Sequence, residues 1–494
     1  MKPQVTIVVV PRERFSFAQR SLINIYENTD FPFDLIYVDA GSPAPLRAFI
    51  KEESERRGFR VISVDRYLSP NQARNLGWRE VKTKYTVFID NDALVKPGWL
   101  EAIVGCANET EAWIVGPLYL IGALEKQTIH MAGGALHLKE QDGKRILYDE
   151  QCLFETRLDQ VREPLRRRAW DYAEFHCMLV RTDLLQRVGP LDEKLLSLHE
   201  HIDIAMAARR AGGSVYIEPS AVTSYVPSPP HEWFDVPYFM LRWSEAWNLA
   251  SVRHFNEKWN VSALHWFGDK SVPDNEDTIV KFGRGHRRFL TGLTVPNHNG
   301  GYQPELPHEQ AELMVAMFLS VDRDRFDLRI EKSENDSVED CSNLDPQEAF
   351  EKLRFLLGRG PEHRSRVLIR PLSRGRATDP TLVCLETGEA ELVNKIKPLA
   401  FLTLEPVPQQ YQCWLAVDTG NWRGKAALRK LVQPAPPLIF APLAGSAYAA
   451  GDALDTNRDR PRVKLIEAVT GRVVSVPQLE RSGIASALAS ARMH

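Results

Sequence analysis

Several features that would define a special class of protein are scarce in this sequence. It has six cysteines in 494 residues, at Cys106, Cys152, Cys177, Cys341, Cys384 and Cys413, with no CxxC pair and no Cys/His cluster. That spacing supports neither a disulfide framework nor a structural zinc site, so buried free thiols in a reducing compartment are expected. Long apolar runs are also missing. The opening MKPQVTIVVVPRER closes its first apolar stretch at Pro11 and Arg12, too soon for a signal-peptide core. No run approaches the roughly 20 apolar residues of a membrane span. A cytoplasmic protein without a membrane span is the expectation. Neither charge sign dominates: 62 Lys and Arg stand against 65 Asp and Glu, a net charge of −3. This excludes a generally basic nucleic-acid binder while leaving a local patch open. There is no internal repeat and no low-complexity tract. The composition, 44% apolar and 26% charged, excludes a disordered or collagen-like chain. The length allows two to four domains.

The sequence does carry an alternation of strands and helices. Residues 5–10 (VTIVVV) are rich in β-branched side chains, as in strands covered on both faces. Helices are predicted over 16–28, 46–57 and 71–81, and strands over 35–38, 60–64 and 85–89. This order predicts a doubly wound α/β sheet. Ligands in such sheets sit beyond the carboxyl ends of the strands, where Asp39, Asp65 and Asp90 fall. Further on, 175–181 reads as a strand, 202–211 as a helix stopped by Gly212-Gly213, and 215–217 as a short strand. Residues 236–259 are helical in pattern, with Phe239, Trp243 and Trp247 as core anchors. The Gly, Pro and Asn clusters of 291–308 predict a linker between a first domain, 1–290, and a second, 309–494. In the second, helices are expected at 309–318 and 346–357. Strands are expected at 326–330, 366–370, 381–385, 400–404 and 411–416, with an acidic loop at 331–344. That is a smaller α+β module.

The sharpest chemical feature is Asp90-Asn91-Asp92, directly after an apolar strand. Two carboxylates at a strand's open end can share a hard divalent cation such as Mn²⁺ or Mg²⁺. Such an ion turns a bound diphosphate into a better leaving group. The alternative is a solvated Asp-rich turn.

Residues 1–260 resemble a family 2 glycosyltransferase of the GT-A fold, the Rossmann-like fold of nucleotide-diphospho-sugar transferases. The resemblance rests on ordered segments: VTIVVVPRER, LIYVDAGS, NQARNLG, FIDND, and the stretch from EFHCMLVRTDLL to DIAMAARRAGG. It implies sugar transfer from a nucleotide diphosphate, metal-assisted and inverting, to a glycan, small molecule or modified macromolecule. It places Asp39 on the base or ribose, with Pro11, Arg12 and Glu13 edging that pocket and Asp65 adding a contact. Asn71 and Arg74 would approach the phosphates. Asp90, Asn91 and Asp92 would hold ribose and metal.

The catalytic base follows from the same resemblance with one departure. Where the family often has Glu-Asp-x-Asp, this chain has Glu200-His201-Ile202-Asp203. Glu200 is the first choice for base and His201 the second, since an imidazole does the same work. Asp203 shares a helix face with Glu200 and His199, and a capping or pairing role for His199 and Asp203 competes with a catalytic one. A second departure concerns the metal. Tyr225 stands where relatives carry a histidine ligand, and His231 lies just beyond, as a substitute or as an ordinary loop residue. Gly133-Gly134 is read either as room for a sugar or as a turn. Trp170, Asp171 and Trp233 are read as sugar or acceptor contacts, or as core. The basic run from Arg162 to Arg168 is expected on a solvated helix face.

The second domain resembles plasmid-replication primases of the RepB type, an RRM-like α+β palm. The segments carrying this are VLIRPLS, QQYQCWL and VKLIEA through GRVVSVPQLE. It departs at the chemistry, with Glu386 alone where an acidic pair would stand, and one carboxylate is not a two-metal site. A module that has lost primase chemistry is implied. The competing reading is a nucleic-acid-directed protein, docking DNA or RNA through this module. A third is a non-catalytic scaffold.

Overall fold

A computed structural model describes residues 2–227, 230–263, 275–295, 303–332, 337–358, 366–376, 378–432, 440–447, 462–488 and 492–493. It forms two compact units, Met1–His231 with Trp247–Phe282, and Glu232–Ala246 with Gly283–His494. The sequence-predicted domain boundary at 290 and the linker at 291–308 thus fall within the second unit, and 296–302 lie outside the described residues. Among the described residues no helix is long and apolar enough to cross a membrane.

The first unit begins β1 (Val5–Val10), α1 (Ala18–Glu27), β2 (Asp34–Ala40), α2 (Ala44–Arg57), β3 (Arg60–Val64), α3 (Pro70–Trp78) and β4 (Tyr85–Asp90). It continues with β5 (Ala93–Val95), α4 (Trp99–Thr110), β6 (Ile114–Ile121), β7 (Thr128–Met131), β8 (Gly134–Gln141), β9 (Lys144–Gln151) and β10 (Arg168–Trp170). Then come β11 (Cys177–Arg181), α5 (Thr182–Val188), α6 (Glu200–Arg210) and β12 (Val215–Tyr225). The main sheet runs β10-β12-β6-β11-β4-β1-β2-β3. The strands β1, β2, β3 and β4 pair in parallel, and every residue of β1 and β4 is buried. β11 enters antiparallel between β4 and β6.

The connectivity fixes where a ligand crevice can form. The chain steps outward from β1 to β3, then returns to β4 on the other side of β1. Loops leaving β1 and β4 therefore diverge, which opens a crevice at their carboxyl ends. The helix α3 is set by a capping box, Ser69 with Gln72, and by Pro70 in its first turn. It packs on β1 and β2, closely enough at Gly77 that a Cβ there would run into Val8.

Three expectations change up to residue 259. The short strand expected at 215–217 is the start of β12, which runs to Tyr225 through a register shift between Glu218 and Val222. Pro219 interrupts the apolar pattern there while the strand bulges and continues. The run from Arg162 to Arg168 is not helical but leads into the edge strand β10, with Arg167 paired to Glu218 and Glu109. The helical stretch 236–259 is broken into α7 (Val236–Arg242) and α8 (Glu245–Trp259), with Phe239, Trp243 and Trp247 buried as expected.

After α9 (Glu276–Arg287) the second unit holds β13 (Thr294–Val295), α10 (Pro307–Ser320), β14 (Arg325–Lys332), β15 (Ser337–Leu344), α11 (Pro346–Leu357), β16 (Arg366–Leu372) and β17 (Thr381–Thr387). Next are α12 (Ala390–Ile396), β18 (Leu402–Val407), β19 (Gln410–Asp418), α13 (Trp422–Leu431), β20 (Ala441–Pro442) and β21 (Lys464–Val469). It ends with β22 (Val474–Ser475), α14 (Val476–Arg481), α15 (Ala485–Leu488) and β23 (Arg492–Met493). The strands form two sheets, β13-β21-β18-β19-β17-β23 with β22 on β19, and β15-β14-β16-β20. The acidic stretch expected as a loop contains β15, an edge strand whose side chains alternate between half-buried and exposed along most of its length. Residues 333–336 of that stretch lie outside the described residues. Glu386 meets Gln412, whose amide nitrogen donates to it at 3.1 Å. Glu245 is nearly buried and takes both Arg374, at 2.6 Å, and Arg376.

Candidate active site

The loops after β1 and β4 are locked together by Asn91. Its amide nitrogen donates to the Arg14 carbonyl at 2.8 Å, and its backbone N–H donates to the Val10 carbonyl at 2.9 Å. Pro11 closes β1, and Arg12 then reaches across the crevice. Its Nη1 lies 3.3 Å from Glu13 Oε2, its Nε 3.4 Å from Asp90 Oδ2, and its guanidinium 4.9 Å from the centre of the Tyr225 ring. Glu13 accepts the Tyr225 hydroxyl.

Asp90 is hydrogen-bonded through one oxygen and faces charge with the other. Its Oδ1 accepts Arg74 Nη2 at 3.0 Å, and its Oδ2 faces Arg12 and, at 3.2 Å, His176 Nδ1. Arg74 is itself buried, bonded to Asn71 Oδ1 at 3.2 Å, with its guanidinium 3.9 Å from the centre of the Phe175 ring. Asn71 is held in turn on the Asp192 carbonyl at 2.9 Å. Arg74 thus holds Asp90 in place.

Asp92 is the opposite case. It is buried, and neither carboxylate oxygen has a hydrogen-bond partner among the described residues. Burial, then the nearby Glu13 and Asp90, push its carboxyl up to about 8. A buried carboxylate without a donor calls for an explanation.

On the next strands, Asp39 and Asp65 meet around one side chain. Asp39 accepts the Ser42 N–H at 3.2 Å. Arg47 lies 3.5 Å from Asp39 and 3.4 Å from Asp65. Asp39 is buried and Asp65 exposed, with Arg47 reaching both.

Across the sheet, β11 brings residues to which the sequence alone assigns no role. Because it runs antiparallel to β4, its entry segment arrives at the same end as Asp90, and the Asp90 N–H donates to the His176 carbonyl at 3.3 Å. Glu174 sits there among three imidazoles. Its Oε1 lies 3.8 Å from both His130 Nε2 and His201 Nε2, and its Oε2 lies 3.7 Å from His176 Nε2. Burial alone would raise the Glu174 carboxyl, but His201, His130, His176 and Arg12 outweigh it and hold it at about 2. Burial and Arg12 push His176 well below the ordinary imidazole value. Tyr225, where a histidine was expected, stacks on His176 with ring centroids 4.2 Å apart. Asp149 on β9 accepts the Tyr172 hydroxyl at 3.3 Å, and burial raises its carboxyl.

The expected base residues divide. Glu200 is buried in the first turn of α6. His201 reaches Glu174, as above. Asp203 faces Lys258 Nζ, with Oδ2 at 2.9 Å, and accepts Trp259 Nε1 on Oδ1 at 2.8 Å, a structural pairing. His199 precedes α6 in the left-handed region, φ 65°, and packs on Phe255. Asp171 is occupied by the Leu136 N–H and Arg209. Gly133 and Gly134 make room for the rings of Trp170 and Tyr172, with which any Cβ would overlap, so the space goes to packing. Trp233 is buried in the second unit, and His231 is half-buried.

An acidic, arginine-lined crevice at the switch point of a doubly wound sheet defines the ligand-binding class of α/β folds. Residues 6–186 match the family model described as Glycosyl transferase family 2. Over 223 residues the chain is 23% identical to the pre-mycofactocin glycosyltransferase of Mycobacterium tuberculosis (strain H37Rv), covering 45% of this chain and 42% of that protein. The chain therefore aligns with less than half the length of that relative. Among solved structures it is similar to GalNAc-T7 with UDP, GalNAc and Mn²⁺, at 14% identity, TM-score 0.37, covering 59% of this chain and 56% of that one. It is also similar to the mannosyltransferase PcManGT of Pyrobaculum calidifontis with GDP-Man and Mn²⁺, at 14% identity, TM-score 0.34, covering 64% and 74%. These loose overlays fix neither donor nor acceptor.

Proposed function

We propose that the first unit is a glycosyltransferase that moves a sugar from a nucleotide-diphosphate donor to an acceptor hydroxyl with inversion. The observation that carries this is Asp92, a buried carboxylate with no protein donor, at the switch-point crevice beside Asp90. The family match over 6–186 supports it.

A divalent cation fits this site, because both Asp92 oxygens are orphaned and are hard donors of the kind Mn²⁺ and Mg²⁺ take. Asp92 would hold it, with Asp90 alongside. When bound, such an ion neutralises charge on the departing diphosphate. The chain's own residues do the rest. Asp39 and Asp65 take the base and ribose, held apart by Arg47. Arg12 closes the crevice over the diphosphate, and Arg74 keeps Asp90 fixed. Glu200 takes the proton of the acceptor hydroxyl as it attacks from the face opposite the diphosphate. His201 is the other candidate base, backed by Glu174. Asp203, tied to Lys258 and Trp259, positions α6.

The test is thermal stabilisation of the full chain by nucleoside diphosphates and their sugars, with and without Mn²⁺. Ligand binding to the folded state raises the melting temperature by mass action. A metal-dependent rise with one nucleotide series, lost in Asp92→Ala, is expected. No rise with any donor under either condition refutes the proposal.

A further inference from the structure

The Asp90–Asp92 pair does not account for the imidazoles gathered around Glu174. His130 from β7 and Glu174 and His176 from the entry to β11 each offer one donor atom, and these lie within 4.8 Å of one another. The closest approaches are 3.8 Å from His130 Nε2 to Glu174 Oε1 and 3.7 Å from His176 Nε2 to Glu174 Oε2. Ligands about 2.0–2.1 Å from a tetrahedral zinc ion stand roughly 3.4 Å apart, so side-chain torsions need close the set by only a few tenths of an ångström to a little over one.

The surroundings are those of a metal site. A ligating histidine usually presents one ring nitrogen to the metal and the other to a carboxylate, which fixes its orientation. His176 approaches this arrangement, with Nε2 toward Glu174 and Nδ1 3.2 Å from Asp90 Oδ2, close enough for that bond to form with a small turn of the ring. The Tyr225 ring, stacked on His176, restricts its rotation. Gln151 Nε2 donates to Glu174 Oε1 at 2.9 Å and orients that carboxylate. Glu174 and His176 are nearly buried.

We propose that His130, Glu174 and His176 bind a zinc-class divalent ion, at a site separate from the hard-cation position on Asp92. Imidazole donors select Zn²⁺, Co²⁺ or Ni²⁺ over Mg²⁺. Three protein ligands leave one position open, as in sites that bind a substrate oxygen rather than purely structural ones. The ion therefore takes an oxygen of whatever anionic or hydroxylic group enters the crevice beside Asp90. The assignment stands independently of sugar transfer.

The experiment is equilibrium dialysis of the full chain against Zn²⁺ alone, with Co²⁺ absorption as a second readout of tetrahedral nitrogen and oxygen coordination. One ion per chain is expected, retained in Asp92→Asn. His130→Asn, the half-buried ligand and so the change least disruptive to folding, weakens binding about tenfold or more. Glu174→Gln does the same, and circular dichroism checks that it folds. His231→Ala, a histidine outside the set, binds as the unaltered chain does. Three results overturn the proposal: no Zn²⁺ bound by the unaltered chain; binding abolished by Asp92→Asn, which moves the ion to the aspartates; or unchanged affinity in folded His130→Asn and Glu174→Gln. Zn²⁺ binding without any donor binding sustains this inference while sinking sugar transfer, and the converse separates them the other way.

Discussion

Replacing Asp92 with Asn keeps the side chain's size and removes its charge. In the folded, metal-free chain the Asp92 carboxyl is raised, first by burial and then by Glu13 and Asp90, to about 8. In the unfolded chain it titrates near the ordinary value of about 3.9. Between these values the unfolded chain has lost the proton and the folded chain keeps it. The fold therefore binds more protons, and its stability falls as pH rises, by about 1.4 kcal/mol per pH unit. Over about two pH units inside that window the loss is of order 2.7 kcal/mol. That corresponds to roughly 5–11 °C in the melting midpoint of a unit of this size. Asn titrates nowhere in this range, so Asp92→Asn lacks this component. The assay is melting in EDTA at a series of pH values for both chains, following the transition that Mn²⁺ shifts. The unaltered chain should lose ground to Asp92→Asn steadily as pH rises. Mn²⁺ should reverse that order by displacing the proton, with apparent affinity improving about tenfold per pH unit below the carboxyl's value. Parallel pH profiles for the two chains in EDTA would refute the reasoning, because Asp92 would then have a partner in the fold.

Other consequences are checked more briefly. Arg74→Met leaves the buried Asp90 with a weaker cation partner and an empty place over Phe175. Chemical denaturation should show a loss of about 3 kcal/mol or more. Gly133→Ala drives a methyl into the Trp170 ring and should cost about 1–3 kcal/mol by differential scanning calorimetry. His199 is held down to about 4, chiefly by burial and then by His201. Its contribution is therefore complete above the ordinary imidazole value of about 6.5 and fades as pH falls toward 4, by about 3 kcal/mol in all. His199→Asn, which tolerates the left-handed backbone, should lose that acid sensitivity in pH-dependent unfolding. In the second unit, Glu245→Gln removes the charge that pairs with Arg376 and with Arg374, which keeps Asp324, and should lower that unit's melting transition by about 1–3 kcal/mol.

How far the sequence speaks depends on whether a feature is local. VTIVVV and YTVFID reveal themselves as buried parallel strands because every position is apolar or β-branched. Of the residues after them, Asp90 and Asp92 stand out from topology and spacing, while Pro11 to Glu13 are marked only by the family resemblance. The meeting of Asp39 and Asp65 around Arg47 is legible for the same reason, since β2 and β3 are neighbours in both chain and sheet. β12 was cut short because Pro219 imitates a strand end where the strand only bulges. β15 was missed because an exposed edge strand need not alternate apolar with polar.

The Glu174 cluster lay further out of reach. The stretch 175–181 reads as a strand, two residues longer than β11, and nothing in its pattern singles out Glu174 or His176. Their meaning depends on β11 running antiparallel beside β4, which carries Glu174 and His176 to the end of the sheet where Asp90 stands. No periodicity encodes that reversal. Tyr225 makes the same point. From the sequence it is a histidine gone missing and a weakened metal site. In the fold its ring stacks on His176, its hydroxyl is bound to Glu13, and the Arg12 guanidinium lies 4.9 Å from the ring's centre. Imidazoles do stand nearby, His176 at the entry to β11 and His130 on β7, two places no single-position comparison would inspect. A substitution that removes a donor from one strand is therefore weak evidence against a metal when the neighbouring strand runs the other way. Zn²⁺ and Mn²⁺ titrations of Asp92→Asn and His130→Asn, side by side, decide whether the donors were lost or relocated.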